Sequence, residues 1–355
     1  MKKKKSHRLK SLKKIILSFF FILFLSGLFL TYELYSRIFQ SNVSLDNKKS
    51  DVIYIPTGSD FLDVMDILNS NGILINSNSF KWVAEQKNYI NNIKAGRYRI
   101  NSDFNNNDLV NKLRSGAQDP VILTFNNLRS KEELAGRVAS FLEPDSIDIL
   151  NYITSSSFLK PLQLNNENIA CLFIPNSYEF YWNTDAEQFA KRMIREYRKF
   201  WNQQRKMKAE KIGLNFYEVS ILASIVEKEQ NIKFDERPMI AGLYLNRLKK
   251  RMRLESDPTL IFILNDYTIK RVLDKDKKLK SPYNTYLNKG LPPGPICIPS
   301  INAIDAVLTA SKHNYIFMCA KEDFSGYHNF AKNYSQHRIN ARKYQRALNK
   351  RKILR

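Results

Sequence analysis

Residues 15–32, "IILSFFFILFLSGLFLTY", carry no charge, and this run constrains the chain more than any other feature. At 1.5 Å of rise per residue, a helix over it is about 27 Å long, close to the roughly 30 Å thickness of a bilayer core. Before it stands "MKKKKSHRLKSLKK", with eight Lys or Arg and no acid. Such a flank holds the N-terminus in the cytoplasm and sends the rest of the chain outside. A cleaved signal peptide would have a shorter apolar region ending at small residues. Here the run leads instead into "TYELYSRIFQ". The reading is a cytoplasmic basic tail over 1–14 and a single-pass anchor over 15–36 in the cell (inner) membrane. The remainder is then extracytoplasmic, in the periplasm.

That topology decides how the formal net charge of +23 is understood. A basic body outside the cell, with no zinc-finger or RNP-type pattern, is not a nucleic-acid binder. Its charge reads as a solvated basic surface, the alternative being attraction to an anionic surface such as the outer membrane leaflet or an anionic cell-wall polymer. The three cysteines, Cys171, Cys297 and Cys319, include no C-x-x-C and are odd in number, so neither a disulfide framework nor a zinc site is indicated. Each sits in an apolar setting and reads as a small buried hydrophobe. The four histidines, His7, His313, His328 and His337, form no H-E-x-x-H, so no metal is expected. No G-x-S-x-G or phosphate-binding glycine loop occurs, and no cofactor is expected.

The polar, aperiodic stretch over 37–50 reads as a linker. After it, "DVIYIP" alternates as a strand, and "TGSDFLDVMDILNSNG" is a helix started by Ser59 or Asp60 and stopped at Asn71-Gly72. A second helix, the strand "AGRYRI" and a helix ending at Gly116 complete a small α+β domain over 51–118. The larger α+β region, 119–355, opens on the strand "PVILTF". It continues through a long amphipathic helix over 185–206, a helix over 216–230, another over "RPMIAGLYLNRLKKRM", and a stiff loop region around "SPYNTYLNKGLPPGPICIPS".

The helix over 216–230 ends its apolar run with "EKE". At 100° per residue, Val219, Leu222, Ile225, Val226 and Glu229 share one stripe, whereas Glu227 has a half-exposed address. A carboxylate against apolar surface is desolvated, its pKa rises, and it can act as a general acid. The bland alternative is that Glu229 emerges into solvent or pairs with Arg237. In "ESDPT", Ser256 or Asp257 reads as a helix cap. "YNTY" and "GLPPGP" suit either a sugar-binding groove or ordinary stiff turns.

In order along the chain, "LASIVEKE", "LYLNRL", "MRLESDPT", "YNTY", "GLPPGPICIP", "HNF" and "SQH" closely resemble the endolytic murein transglycosylase family, the bacterial MltG or YceG-like proteins. "IKAGRYRI" and "LVNKLRSG" look like that family's small LysM-like domain. The resemblance implies a membrane-anchored lyase acting on the glycan strands of peptidoglycan, near the peptidoglycan synthases. It would cut the β-1,4 bond between N-acetylmuramic acid and N-acetylglucosamine without water and leave a 1,6-anhydromuramic end. It implies Glu229 as the catalytic residue, with Asn246, Ser256, Asp257, Asn284, Tyr286 and His328 holding the sugar. Two departures stand out: Gln230 where Ala or Thr is more familiar, and one added residue before "LYLNRL". The rival readings are a hydrolytic muramidase, with Glu227 or Asp257 as second carboxylate, and a non-catalytic peptidoglycan-binding protein of the wall-synthesis complex.

Overall fold

The structure, a computed structural model, describes residues 2–46, 48–269 and 271–351. The side chains of residues 2–11, His7 among them, lie outside the described residues. The fold is mixed α+β and divides into two compact units, one up to residue 121 with 181–183, the other over 122–180 and 184–355.

The first unit begins with helix α1 (Lys2–Phe39), whose span Leu12–Phe39 contains an 18-residue stretch of mean hydropathy 2.4 and is long and apolar enough to cross a membrane. Strand β1 (Ser50–Ile55), helices α2 (Phe61–Ser70) and α3 (Ser77–Gln86), strand β2 (Gly96–Asn101) and helix α4 (Asn106–Ser115) come next. β1 and β2 pair antiparallel, Ser50 opposite Asn101 and Ile55 opposite Gly96. Alternation along them turns Ile53, Ile55, Tyr98 and Ile100 into a core shared with Val64, Phe80 and Leu109. Asp60 starts α2 with a capping box closed by Asp63, and Gly116, at φ 73°, ends α4 in the left-handed conformation.

The segment read as a linker is partly packed into this unit. Val43 and Leu45 are buried, and Val43 bridges Leu74. The buried Asn42 side chain donates to Asn76 O (2.9 Å) and Asn106 Oδ1 (2.7 Å), and its own oxygen accepts the Asn76 N–H (2.7 Å). A polar residue that satisfies buried backbone groups looks, in sequence, like one meant for water.

The second unit runs β3 (Val121–Phe125), α5 (Lys131–Ala139), α6 (Ser146–Thr154), α7 (Ser156–Leu159), β4 (Asn176–Phe180), α8 (Ala186–Phe200), α9 (Gln203–Ile212) and α10 (Phe216–Glu229). It ends with α11 (Arg237–Lys249), α12 (Asp257–Leu264), α13 (Ile301–Leu308), β5 (Phe317–Ala320), β6 (His328–Ala331) and α14 (Tyr334–Lys350). β3 pairs with β4, and β5 with β6. The single helix expected over 185–206 is two. Asn202 caps α9 by accepting the Arg205 N–H, and Trp201 is buried at the break.

α10 lies at the centre of this unit, against α9, α11, α12 and α13. Every residue from Val219 to Glu227 is buried, so the helix has no single apolar face and the stripe argument does not separate its sides. Ser220 and Ser224 turn their hydroxyls onto the helix's own carbonyls (3.0 and 2.7 Å), which lets them sit in the core.

Glu227 corrects the half-exposed reading: it is only 3 % exposed. Its Oε2 accepts the Ser300 N–H (2.7 Å) at the cap of α13, where the positive end of a helix dipole favours a carboxylate. Glu227→Gln keeps an oxygen there but loses the charge. We expect it to cost about 1.5–3 kcal/mol, the range for a hydrogen bond to a charged group, read as a lower urea midpoint at unchanged m-value. A midpoint equal to wild type would contradict this role.

Cys171 and Cys297 are buried in the core, whereas Cys319 is half-buried; all three are free. Burial pushes the Cys297 thiol up to about 12, so it has no thiolate character near neutrality.

Candidate active site

Glu229 is the last residue of α10, where the helix leaves the core beside a cavity of about 530 Å³. Its Oε1 accepts two hydrogen bonds, from Ser256 Oγ (2.5 Å) and from the Tyr244 hydroxyl (2.6 Å). Tyr244 comes from α11, and Ser256 from the turn that starts α12.

Ser256 shows how the site overrides a local preference. It occupies the cap position of α12, as the reading of "ESDPT" has it, yet its side chain makes no cap bond because Oγ is turned to Glu229. The residue is fully buried, and its backbone N–H is held by Thr285 Oγ1 (3.0 Å). Glu255, just before it, has φ 52°, in the left-handed region that non-glycine residues avoid. Arg247 anchors that strained turn, donating to Arg253 O (3.0 Å), Leu254 O (2.9 Å) and Glu255 Oε2 (3.0 Å).

The electrostatics arise from these contacts. Burial raises the Glu229 carboxyl above its ordinary value; the bonds from Ser256 and Tyr244 oppose this, Asp257 adds to it, and the net shift is upward. Burial, with the carboxylate beside it, also drives the Tyr244 phenol well above its usual range, so it remains a donor. Asp257 opens α12 and accepts from the Tyr286 hydroxyl (2.5 Å). Burial raises its carboxyl too, against the pull of Tyr286 and Lys277.

His328, which also lines the cavity, begins β6. Its Nδ1 meets Glu236 Oε2 (2.7 Å), and its backbone N–H donates to Glu236 Oε1 (2.8 Å). A carboxylate only accepts, so Nδ1 carries a proton. Burial would raise Glu236, but the bonds from His328 and Gln230 outweigh it and hold the carboxyl below its usual value. Gln230 donates to Glu236 Oε2 (2.7 Å) and to Gly326 O (2.9 Å). It thereby ties the β5–β6 turn to the end of α10.

Of the residues read as sugar contacts, Asp257, Tyr286 and His328 line the cavity with Glu229, and Ser256 stands behind that carboxylate. Asn246 and Asn284 are not among the lining residues. Asn246 donates to His313 O (2.8 Å) and Tyr315 O (3.0 Å). Asn284, fully buried, donates to Lys277 O and Leu279 O and accepts the Tyr286 N–H (2.9 Å), which places Tyr286.

Tyr244 and Glu236 are not legible in the sequence as site residues. Tyr244 lies on a different helix from Glu229, and only the packing of α10 on α11 brings them together. No group of three or more His, Cys, Asp or Glu that could hold a metal ion occurs among the described residues.

The arrangement suits one chemistry well. A carboxyl group whose pKa is raised has one oxygen held by two donors, which leaves the other to give a proton into the cavity and take one back.

Residues 53–343 match the model of the YceG-like family. The chain is 30 % identical over 308 residues to the endolytic murein transglycosylase of Bacillus subtilis (strain 168), a match covering 82 % of this chain and 84 % of that protein. It is 25 % identical over 323 residues to the endolytic murein transglycosylase of Streptococcus pneumoniae serotype 2 (strain D39 / NCTC 7466), covering 81 % of this chain and 57 % of that one. A crystal structure of a yceG-like protein from Listeria monocytogenes aligns with a TM-score of 0.53 at 26 % identity, over 82 % of this chain and 99 % of that chain. With the family model matched along most of its length, the chain belongs to the YceG-like family.

Proposed function

We propose that the protein is a membrane-anchored endolytic peptidoglycan lytic transglycosylase with Glu229 as its single acid and base. It cuts the β-1,4 bond between N-acetylmuramic acid and N-acetylglucosamine within a strand. The observation that carries this reading is the Glu229 carboxyl, raised by burial and held through Oε1 by Ser256 and Tyr244 at the edge of the cavity. The names of the Bacillus and Streptococcus relatives support the same reaction class.

Glu229 gives its proton to the glycosidic oxygen as the bond from that oxygen to muramic C1 breaks. The C6 hydroxyl of the same muramic residue attacks C1, and Glu229, now a carboxylate, takes the hydroxyl proton. The 1,6-anhydro ring closes and Glu229 ends protonated, ready for another turn. Because the nucleophile is tethered to the electrophile, no second carboxylate is needed to activate water. Asp257, Tyr286 and His328 would hold the sugar.

The apolar α1 supports an anchor with the N-terminus inside and the body outside. In this reading residues 51–118 are a LysM-like unit, 119–355 the catalytic domain, and peptidoglycan synthases the neighbours at the membrane.

The test is to digest purified peptidoglycan and weigh the new glycan ends. Ends lighter by one water support lytic cleavage. Ordinary reducing ends would favour the hydrolytic muramidase, for which Asp257 in the same cavity is the supporting observation.

Tyr244→Phe tests the acid's tuning. The lost bond favours the charged carboxylate, so removing it raises the Glu229 pKa further. The protonated acid then survives to higher pH, and the basic limb of the pH–rate profile moves up by about one unit, equivalent to about 1.4 kcal/mol. A basic limb that stays or moves down contradicts the assignment.

A further inference from the structure

The cavity has a second wall that this reaction does not use. α14 supplies Tyr334 and His337 to it, and β5 supplies Phe317. The Phe317 and His337 rings stack with centroids 5.1 Å apart and 19° between their planes. Tyr334 lies 5.9 Å from Phe317 and 6.3 Å from His337. The Arg247 guanidinium, 5.2 Å from the Phe317 ring centre, braces the base of this cluster. Tyr334 itself is 61 % exposed although it lines the cavity. A large ring left in water on a rigid base presents contact area at little entropic cost to a partner.

His337 adds a directional group. Its Nδ1 is buried and meets no hydrogen-bond partner among the described residues. Orphaned buried N–H donors are rarer than orphaned acceptors, so the proton belongs on Nε2 and Nδ1 is the bare nitrogen. Burial, aided by the charge of Arg247 and weakly opposed by Glu255, holds the ring below its ordinary pKa and therefore neutral. His328, in the same cavity, has its Nδ1–H committed to Glu236.

Resting on the glycan reading, we propose that the α14 wall is a further sugar-binding subsite for the residue adjoining the one that is cut. The C–H face of an N-acetylhexosamine stacks on Tyr334, and His337 Nε2–H donates to an oxygen of that sugar or of its acetamido group. The enzyme accordingly reads at least two sugars of a strand, one on each side of the cavity.

The experiment uses the full-length protein in detergent micelles with Glu229→Gln, so that the glycan is not consumed. An uncrosslinked tetrasaccharide of alternating N-acetylglucosamine and N-acetylmuramic acid is titrated into it by calorimetry. Tyr334→Ala and His337→Leu should each weaken Kd at least tenfold at unchanged thermal midpoint. Tyr334→Trp, which keeps the platform, and His337→Gln, which keeps a donor, should bind within threefold of the parent. A Kd within twofold of the parent for Tyr334→Ala, or no rescue by Tyr334→Trp, overturns the subsite while the glycan reading stands. No binding even with the wall intact overturns the glycan reading and the subsite together. With four histidines in the chain, nitrogen-15 labelling of histidine reads the tautomers directly, and a proton on Nδ1 of His337 would equally overturn the proposal.

Discussion

Glutamine in place of Glu229 should lower strand cleavage by about 10³–10⁴-fold, the upper part of the range for one general acid–base group, because one side chain serves both steps. The replacement is nearly isosteric, and its carbonyl oxygen can still accept from Ser256 and Tyr244. What it lacks is the proton. The same variant should be more stable than the parent near pH 7. An acid whose folded pKa is raised contributes its stability below the unfolded value, and that contribution is lost as pH rises through the folded pKa. Glutamine never ionises and is spared this loss, so its thermal midpoint should exceed the parent's by a few degrees at pH 7 and match it at about pH 4. Release of soluble glycan fragments measures the rate, and thermal scans at both pH values measure the linkage. Wild-type-like cleavage would remove Glu229 from the mechanism. A midpoint lower than the parent's at pH 7 would mean the carboxyl is not strained by burial. Glu227→Gln is the companion control: it should lose stability and keep cleavage within about threefold, since its carboxylate serves α13.

The largest loss of stability should come from Arg247→Ala, at about 3–5 kcal/mol. The Arg247 side chain is 7 % exposed, and its guanidinium donates to the carbonyls of Ile316 (2.6 Å), Arg253 and Leu254 as well as to Glu255. Truncation strands three backbone acceptors in poorly hydrated positions, and each costs its desolvation. It also frees the left-handed turn at Glu255 that aims Ser256 at Glu229. Arg247→Lys should recover only a minor part, because an ammonium cannot reproduce the planar fork that spans these acceptors. Denaturant titration at constant m-value reads the effect, and a cost below about 1 kcal/mol would show that the turn holds without this residue.

Much of the local structure is legible in the sequence because it is written in local chemistry. Asp60 and Gly116 bracket their helices by capping and by a left-handed stop. Legibility fails where a side chain's partner comes from far along the chain. Asn42 looks like linker and is a buried hydrogen-bonding hub. The cap at Asn202 is hidden because no Gly or Pro marks the break within residues 185–206. Ser256 reads as a cap, and it stands at the cap, but its hydroxyl serves Glu229. Asn246 and Asn284 are polar residues in suggestive company, and their amides hold backbone instead.

The residues alone determined that one run can cross a bilayer, where most helices begin and end, and that an apolar helix ends in two carboxylates. These depend on side-chain transfer energies and on contacts within a few residues. Only the tertiary structure decided what each carboxylate does. Glu227 and Glu229 differ by two positions, about 160° around the helix once whole turns are removed, and that rotation sends one to the N-terminus of α13 and the other to the cavity. The groups that raise and hold Glu229 come from α11 and the start of α12. Which of them meet depends on how four helices pack around α10, and no spacing along the chain encodes that.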